Sequence, residues 1–214
     1  MWTLSTFLTL RRNVYDVNMP YHHGHLREAL VDAALATARS DGPDAVVLRA
    51  ATRAAGVSPN AAYRHFADRE ELLAAVAARC MDQLADLMEQ RLAGVRRSRD
   101  PRQQAWDRLR AAGRAYIDFA LDEPGWFRTA FGPCPPAPAP ESGRDPYRIL
   151  NELLDGLVEA GALAPERRPE AEYAAWASVH GIATLLVEGP LRELPAKERP
   201  PIIAKVLDSV ATGL

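Results

Sequence analysis

The stretch "AGVSPNAAYRHF", Ala55 to Phe66, decides the fold. It begins as a turn and ends as a helix. Gly56 can take a positive φ and stop one helix, and the small residues Ala51, Ala55 and Ala62 let two helices cross closely. Ser58 is a good N-cap and Pro59 a good first helical residue, so the second helix has a firm start. Ala62 and Phe66 lie four apart and share an inward face. With Val57 between the two helices, the spacing predicts a helix-turn-helix. Asn60, Ala61, Tyr63, Arg64 and His65 are left for solvent or a ligand.

A DNA major groove would use such a face. Asn60 and Ala61 lie near the helix start, where base edges are met; an amide can bond adenine and a methyl can touch thymine. Ser58, Tyr63, Arg64 and His65 stand within reach of phosphates, which fix register more than sequence. From Arg49 to Arg69 the charged residues are Arg49, Arg53, Arg64, Arg69 and Asp68, a local excess of positive charge in a chain of net charge −2. Nucleic-acid binding must therefore be local. A bland alternative stands beside it: a helical corner of any bundle can carry a solvated arginine face.

The rest of the chain reads as helix, with strand signals nearly absent. Leu26, Leu30, Ala33, Ala34 and Leu35 form a stripe that "SDGPD" ends, with Gly42 just past the helix. A short helix covers Leu48 to Ala55. Asp68 caps a long helix, with Glu71 as capping-box partner and Leu72, Val76, Cys80, Leu84, Leu87 and Met88 as its apolar stripe. "SRDP" breaks the chain near residue 100. Trp106, Leu109, Gly113, Tyr116, Ile117 and Ala120 form the next stripe. "DEPGWFRTAFG" predicts a turn and a short aromatic helix, and "PCPPAPAPESG" a flexible loop over 133–143. Helices follow at about 145–160, 168–188 and 198–212. The expected fold is all-α: an arm at 1–19, a helix-turn-helix head at 20–67, and a helical regulatory and dimerisation body at 68–214.

Other features set bounds. No apolar run is long enough to span a bilayer, and the order of apolar and basic residues in 1–18 is wrong for a signal peptide. Translation starting at Met19, or a loose arm over 1–18, is expected. Two cysteines are too few for a disulfide framework, so a reduced cytoplasmic chain is expected, with Cys80 in the core and Cys134 as an exposed thiol. Of the 26 basic residues only Lys197 and Lys205 are lysine, a bias read first as genomic composition. No nucleotide-binding glycine pattern, GxSxG or HExxH motif is present. Neither enzyme activity nor a cofactor is expected.

"GVSPNAAYRHFADREELLAAV" closely resembles the recognition segment of the TetR family of bacterial one-component regulators. The family pattern places an aromatic, a basic or aromatic residue, His or Tyr, and Phe at Tyr63-Arg64-His65-Phe66, followed by a helix opening matched by Arg69-Glu70-Glu71-Leu72. "EPGWFRTAF" and "WASVHGIATLL" resemble a subgroup with a Trp-x-x-x-His-Gly signature, here Trp176, His180 and Gly181. Two departures stand out: Ala51-Thr52 replaces the usual Ile-Ala, predicting a slightly underpacked head, and Arg69 replaces the usual Lys at a phosphate-contacting position.

The resemblance implies a homodimer built through the last two long helices, where Val179, Ile182, Leu186, Ile203, Val206 and Val210 fit a seam, with Ala175 beside them. Ordinary intramolecular core is the other reading of the same positions. It implies a body cavity for a small apolar or aromatic effector, with Trp106, Tyr116, Trp126, Phe127, Tyr173, Trp176 and His180 as candidate contacts. Aromatics at helical spacing are also what a core contains, and a lone His180 is also what a hydrogen-bonded core or interface contains. The expected function is a ligand-responsive regulator, a repressor rather than an activator, bound as a homodimer to a near-palindromic operator. A second reading is a helical binding or enzymatic protein whose head no longer reads DNA, supported by Ala51-Thr52 and the near-neutral charge. A third is a metal sensor using His22, His23 and His25, disfavoured because a mobile segment supplies metal geometry poorly. No membrane partner is expected. The long helix from Asp68 is expected to be the only element joining head and body.

Overall fold

The computed structural model describes residues 25–132 and 145–214. The expected arm, His22, His23, Cys134 and the 133–143 loop lie outside the described residues. Among those described, helices make up the fold and no strand occurs. No helix is long and apolar enough to cross a membrane.

The head consists of α1 (Leu26–Asp41), α2 (Leu48–Ala54) and α3 (Pro59–Ala62). Gly42 ends α1 at φ 81°, and its N–H bonds the Ala38 carbonyl. That conformation costs glycine nothing and most residues strain. Gly56 does the same after α2 at φ 69°, and the Val57 N–H closes the turn on the Thr52 carbonyl at 2.9 Å. Ser58 sits at the N-cap of α3 with extended backbone, but its hydroxyl makes no capping bond; the start rests on Pro59 and on the Ala61 N–H to Ser58 carbonyl bond. Ala62 and Phe66 are buried as predicted, and the Arg27 guanidinium lies 5.1 Å above the Phe66 ring. Thr52 is buried in this core, yet its hydroxyl donates to the Arg49 carbonyl at 3.0 Å. A satisfied hydroxyl adds little cost to the head core.

The long helix α4 (Arg69–Ala93) starts as the sequence predicts. Asp68 accepts from the Glu71 N–H at 2.8 Å, and Glu71 returns to the Ala67 N–H at 2.7 Å, one residue before the expected Asp68. Its first turns pack Leu72, Val76 and Cys80 into the head core, and its last place Leu84 and Met88 in the body core. Burial, with the Glu123 charge adding to it, pushes the Cys80 thiol up to about 12, so it packs as an apolar group.

In the body, α5 (Pro101–Asp122) is the central rod, packed against α4, α6 (Pro124–Phe131), α7 (Pro146–Glu159), α8 (Ala171–Val187) and α9 (Arg199–Gly213). Gly113 marks its closest crossing: a Cβ there would lie 2.8 Å from Leu207 Cδ2 and 3.3 Å from Val179 Cγ1.

Two expectations change. Helix α4 is not alone in joining head and body, because α6 packs against both α1 and α4. Four of the expected seam positions also turn inward. Val179, Ile182, Leu186 and Ile203 are buried in this chain's own core, with Ala175. Val206 and Val210 are half-buried against that core. The outward face of α8 carries Tyr173, Ala174, Ala177, Gly181 and Leu185 instead.

Candidate functional site

The first site is the outer side of the helix-turn-helix. With Ala62 and Phe66 anchoring α3 and its following turn, Asn60, Tyr63 and Arg64 stand exposed, Tyr63 at 57%, while Ala61 and His65 are half-buried. Arg49, Arg53 and Ser58 are also exposed. The short span from Ser58 to His65 thus presents an amide, a phenol, a guanidinium and an imidazole together with the free Ser58 hydroxyl. Groups of these kinds are able to donate hydrogen bonds to phosphate oxygens or base edges.

Arg69 is placed differently from its expected phosphate role. Its Nε donates to the Val46 carbonyl at 2.8 Å and its Nη2 to the Pro43 carbonyl at 2.7 Å. The planar guanidinium thereby ties the first turn of α4 to the segment between α1 and α2, a two-carbonyl bond that a lysine point charge would not reproduce.

The second site is a cavity of about 240 Å³ in the body, between α4, α5, α7, α8 and α9 and the end of α6. Trp106, Tyr116 and Trp176 line it, with Phe131, Met81, Met88, Tyr147 and Leu150. Val179 and Val210, read as seam residues, also form its wall. Phe127 and His180 sit behind that wall. Phe127 is buried, and its ring packs 5.6 Å from the imidazole and 6.1 Å from Tyr116. The Tyr116 hydroxyl lies 2.8 Å from His180 Nδ1 and accepts from Trp176 Nε1 at 3.4 Å. Burial holds the His180 imidazole below its ordinary range, with Glu188 opposing, so the neutral ring is favoured.

Two other candidates fall elsewhere. Tyr173 is 58% exposed on the outer face of α8. Trp126 lies at the joint between head and body, where its Nε1 donates to the Leu35 carbonyl at 3.0 Å and the Arg39 guanidinium stacks 4.9 Å above its ring. The Arg39 Nε also donates to Glu123 at 2.7 Å, and a second guanidinium nitrogen pairs with the same carboxylate. Gly125 completes the joint, since a Cβ there would run into the Ala38 and Arg39 carbonyl oxygens. These contacts join residues more than eighty apart in sequence. The cue was present in "DEPGWFRTAF", but aromatic residues alone do not say which neighbour they meet.

Among the described residues no group of His, Cys, Asp and Glu is arranged to hold a metal; His25 Nδ1 lies 3.0 Å from Glu28 Oε2.

The His180 environment yields a pH prediction. The folded ring binds a proton less readily than the unfolded one, whose ordinary value is 6.5. Just below that value the unfolded chain holds more protons, so stability falls as pH falls. Thermal melts from about pH 7.5 to 5 should show a steeper loss of Tm for the native chain than for His180→Gln. Parallel losses would contradict the role assigned to the buried ring.

The comparisons with known proteins agree with this architecture. The family model described as bacterial regulatory proteins, tetR family, matches residues 30–76. The model described as tetracyclin repressor-like, C-terminal domain, matches residues 109–209. A Rhodococcus sp. RHA1 protein of unknown function is 31% identical, with 92% of this chain and 98% of that chain covered at a TM-score of 0.72. A TetR family transcription regulator from Marinobacter aquaeolei VT8 is 20% identical, with 88% and 95% covered at 0.58. RolR, in complex with the ligand resorcinol, is 19% identical, with 90% and 88% covered at 0.63. No curated protein sequence matches the chain. With a head model and a body model that together cover more than half of the sequence, the chain belongs to the tetR family of bacterial regulatory proteins.

Proposed function

We propose that this chain is a ligand-responsive cytoplasmic transcriptional repressor without enzymatic activity. It binds a near-palindromic operator as a homodimer, and its operator affinity changes when an apolar or aromatic effector fills the body cavity. The observation that carries the reading is the exposed group Asn60, Tyr63 and Arg64, on α3 and the turn that follows it, rooted by buried Ala62 and Phe66. A rigid base with hydrogen-bonding groups on its free face suits insertion into a major groove. Asn60 and Ala61 read base edges, and Arg49, Ser58, Tyr63, Arg64 and His65 meet the phosphate backbone. Arg69 acts through the head's geometry, because its bonds to Val46 and Pro43 set how α4 leaves the head.

The effector reading rests on the apolar cavity and its contact with α6. Phe131 of α6 lines the cavity, while Trp126 and Gly125 of the same helix seat on α1. An effector that prefers one placement of α6 shifts the head, and the size of the shift is set by its differential affinity for the two placements. RolR, with the same fold, holds resorcinol.

Dimerisation uses the outer face of α8, together with α9. Ala174, Ala177 and Gly181 let a second helix approach closely, and Tyr173 and Leu185 flank them. A Cβ at Gly181 meets no atom within 4 Å in the single chain. Gly181→Arg should therefore fold with unchanged helicity yet sediment as a monomer in analytical ultracentrifugation. A variant that remains a dimer places the interface elsewhere.

The DNA reading is tested with a duplex selected from a random library. Tyr63→Ala and Arg64→Ala should each weaken binding while circular dichroism stays unchanged. Loss of a phosphate contact should lower the slope of log affinity against log salt by about one for Arg64→Ala. Native affinity and native slope in both variants would remove the turn after α3 from the interface.

A further inference from the structure

The cavity's polar groups restrict what can occupy it. Its walls are apolar and polarisable, with Trp106, Phe131, Met81 and Met88 among them. Sulfur and ring edges favour a flat aromatic guest. A cavity of roughly 150 Å³ takes benzene, so about 240 Å³ has room for one or two fused rings.

Charge is already balanced at the described part of the wall. Among the described residues Arg110 is the one basic side chain lining the cavity, and its Nε donates to Asp208 at 3.1 Å, with Asp107 3.9 Å from Nη1. Asp145, the one acidic lining residue among those described, accepts from the Tyr147 N–H at the start of α7 at 3.0 Å. Among the described residues no buried side-chain nitrogen or oxygen lacks a hydrogen-bond partner. An ionised guest would lose its hydration and find no unpaired counter-charge among the described residues.

The Tyr116 hydroxyl, on the apolar side of the cavity, keeps spare acceptor capacity. The Tyr116 oxygen accepts from Trp176 Nε1 through a long bond of 3.4 Å, so its own proton goes to His180 Nδ1 at 2.8 Å. A phenol oxygen has a second lone pair. A guest hydroxyl can therefore donate to Tyr116 while Tyr116 donates to His180, and such chains strengthen each other in an apolar setting. The neutral imidazole favoured by burial is the form able to accept at Nδ1.

We propose that the effector is an uncharged aromatic molecule of one or two fused rings whose hydroxyl donates to the Tyr116 oxygen. This rests on the cavity being the effector site. Isothermal titration calorimetry of the full chain at pH 7, without DNA, compares 2-naphthol, naphthalene, 2-naphthoate and 2-naphthylmethylammonium. 2-Naphthol should bind tightest. Naphthalene should bind roughly 2–10-fold more weakly, as expected for one lost hydrogen bond, and both ions about 100-fold more weakly or worse. In Tyr116→Phe the advantage of naphthol over naphthalene should vanish while naphthalene affinity holds. A charged probe that equals 2-naphthol overturns the assigned class but leaves the cavity as the effector site. So does a naphthol advantage that survives Tyr116→Phe. Binding of none of the four contradicts both the class and the effector site. The four-probe series on the native chain decides the question even if the variant fails to fold.

Discussion

The seating of α6 on α1 is the constraint on which the two-part architecture depends. Gly125 lets the helices touch backbone to backbone, where any side chain would strike the Ala38 and Arg39 carbonyls. Around that contact the Trp126 indole is held by the Leu35 carbonyl, and Arg39 is shared between the indole face and the Glu123 carboxylate. An exposed ion pair alone is worth little. Here it borders a half-buried aromatic and a backbone hydrogen bond, which restrict the same few side chains. Head and body are therefore joined by two rods, α4 running through both cores and α6 clamped beside it.

That pair of rods gives the cavity a route to the recognition surface. One end of α6 holds the head. Along the same helix, Phe127 and Phe131 pack with Tyr116 and His180. Filling the space beside Phe131 changes what those rings can pack against, and close-packed interiors respond by discrete rearrangement rather than smooth deformation. The Arg69 bonds to Val46 and Pro43 make the head follow the first turn of α4 as one body.

Local chemistry was legible in the sequence where one residue type dictates one conformation, though the Ser58 hydroxyl read as a cap makes no capping bond. Gly42 and Gly56 end their helices at positive φ, Asp68 caps α4, and Pro59 opens α3. The inward pair Ala62 and Phe66 followed from spacing, and so did the exposed residues around them. Faces of the body helices were harder. Helix α8 is apolar nearly all round, so its period does not say that Val179, Ile182 and Leu186 face the core while Ala177, Gly181 and Leu185 face out. Partners far apart in the chain left no local trace. Arg69 reads as a free cation in the sequence but spends two donors on carbonyls more than twenty residues away. Trp126 reads as a pocket aromatic but belongs to the joint.

Sequence-specific DNA binding by the Ser58–His65 surface is the claim on which the others rest. Fluorescence anisotropy with duplexes tiled across the DNA upstream of the chain's own gene, at about 0.15 M salt with competitor DNA, tests it most directly. The account predicts tight binding to one near-palindromic tile, with two chains per duplex and an affinity that falls steeply as salt is raised. Equal, weak binding to every tile, followed by failure to enrich any sequence from a random library, would contradict it.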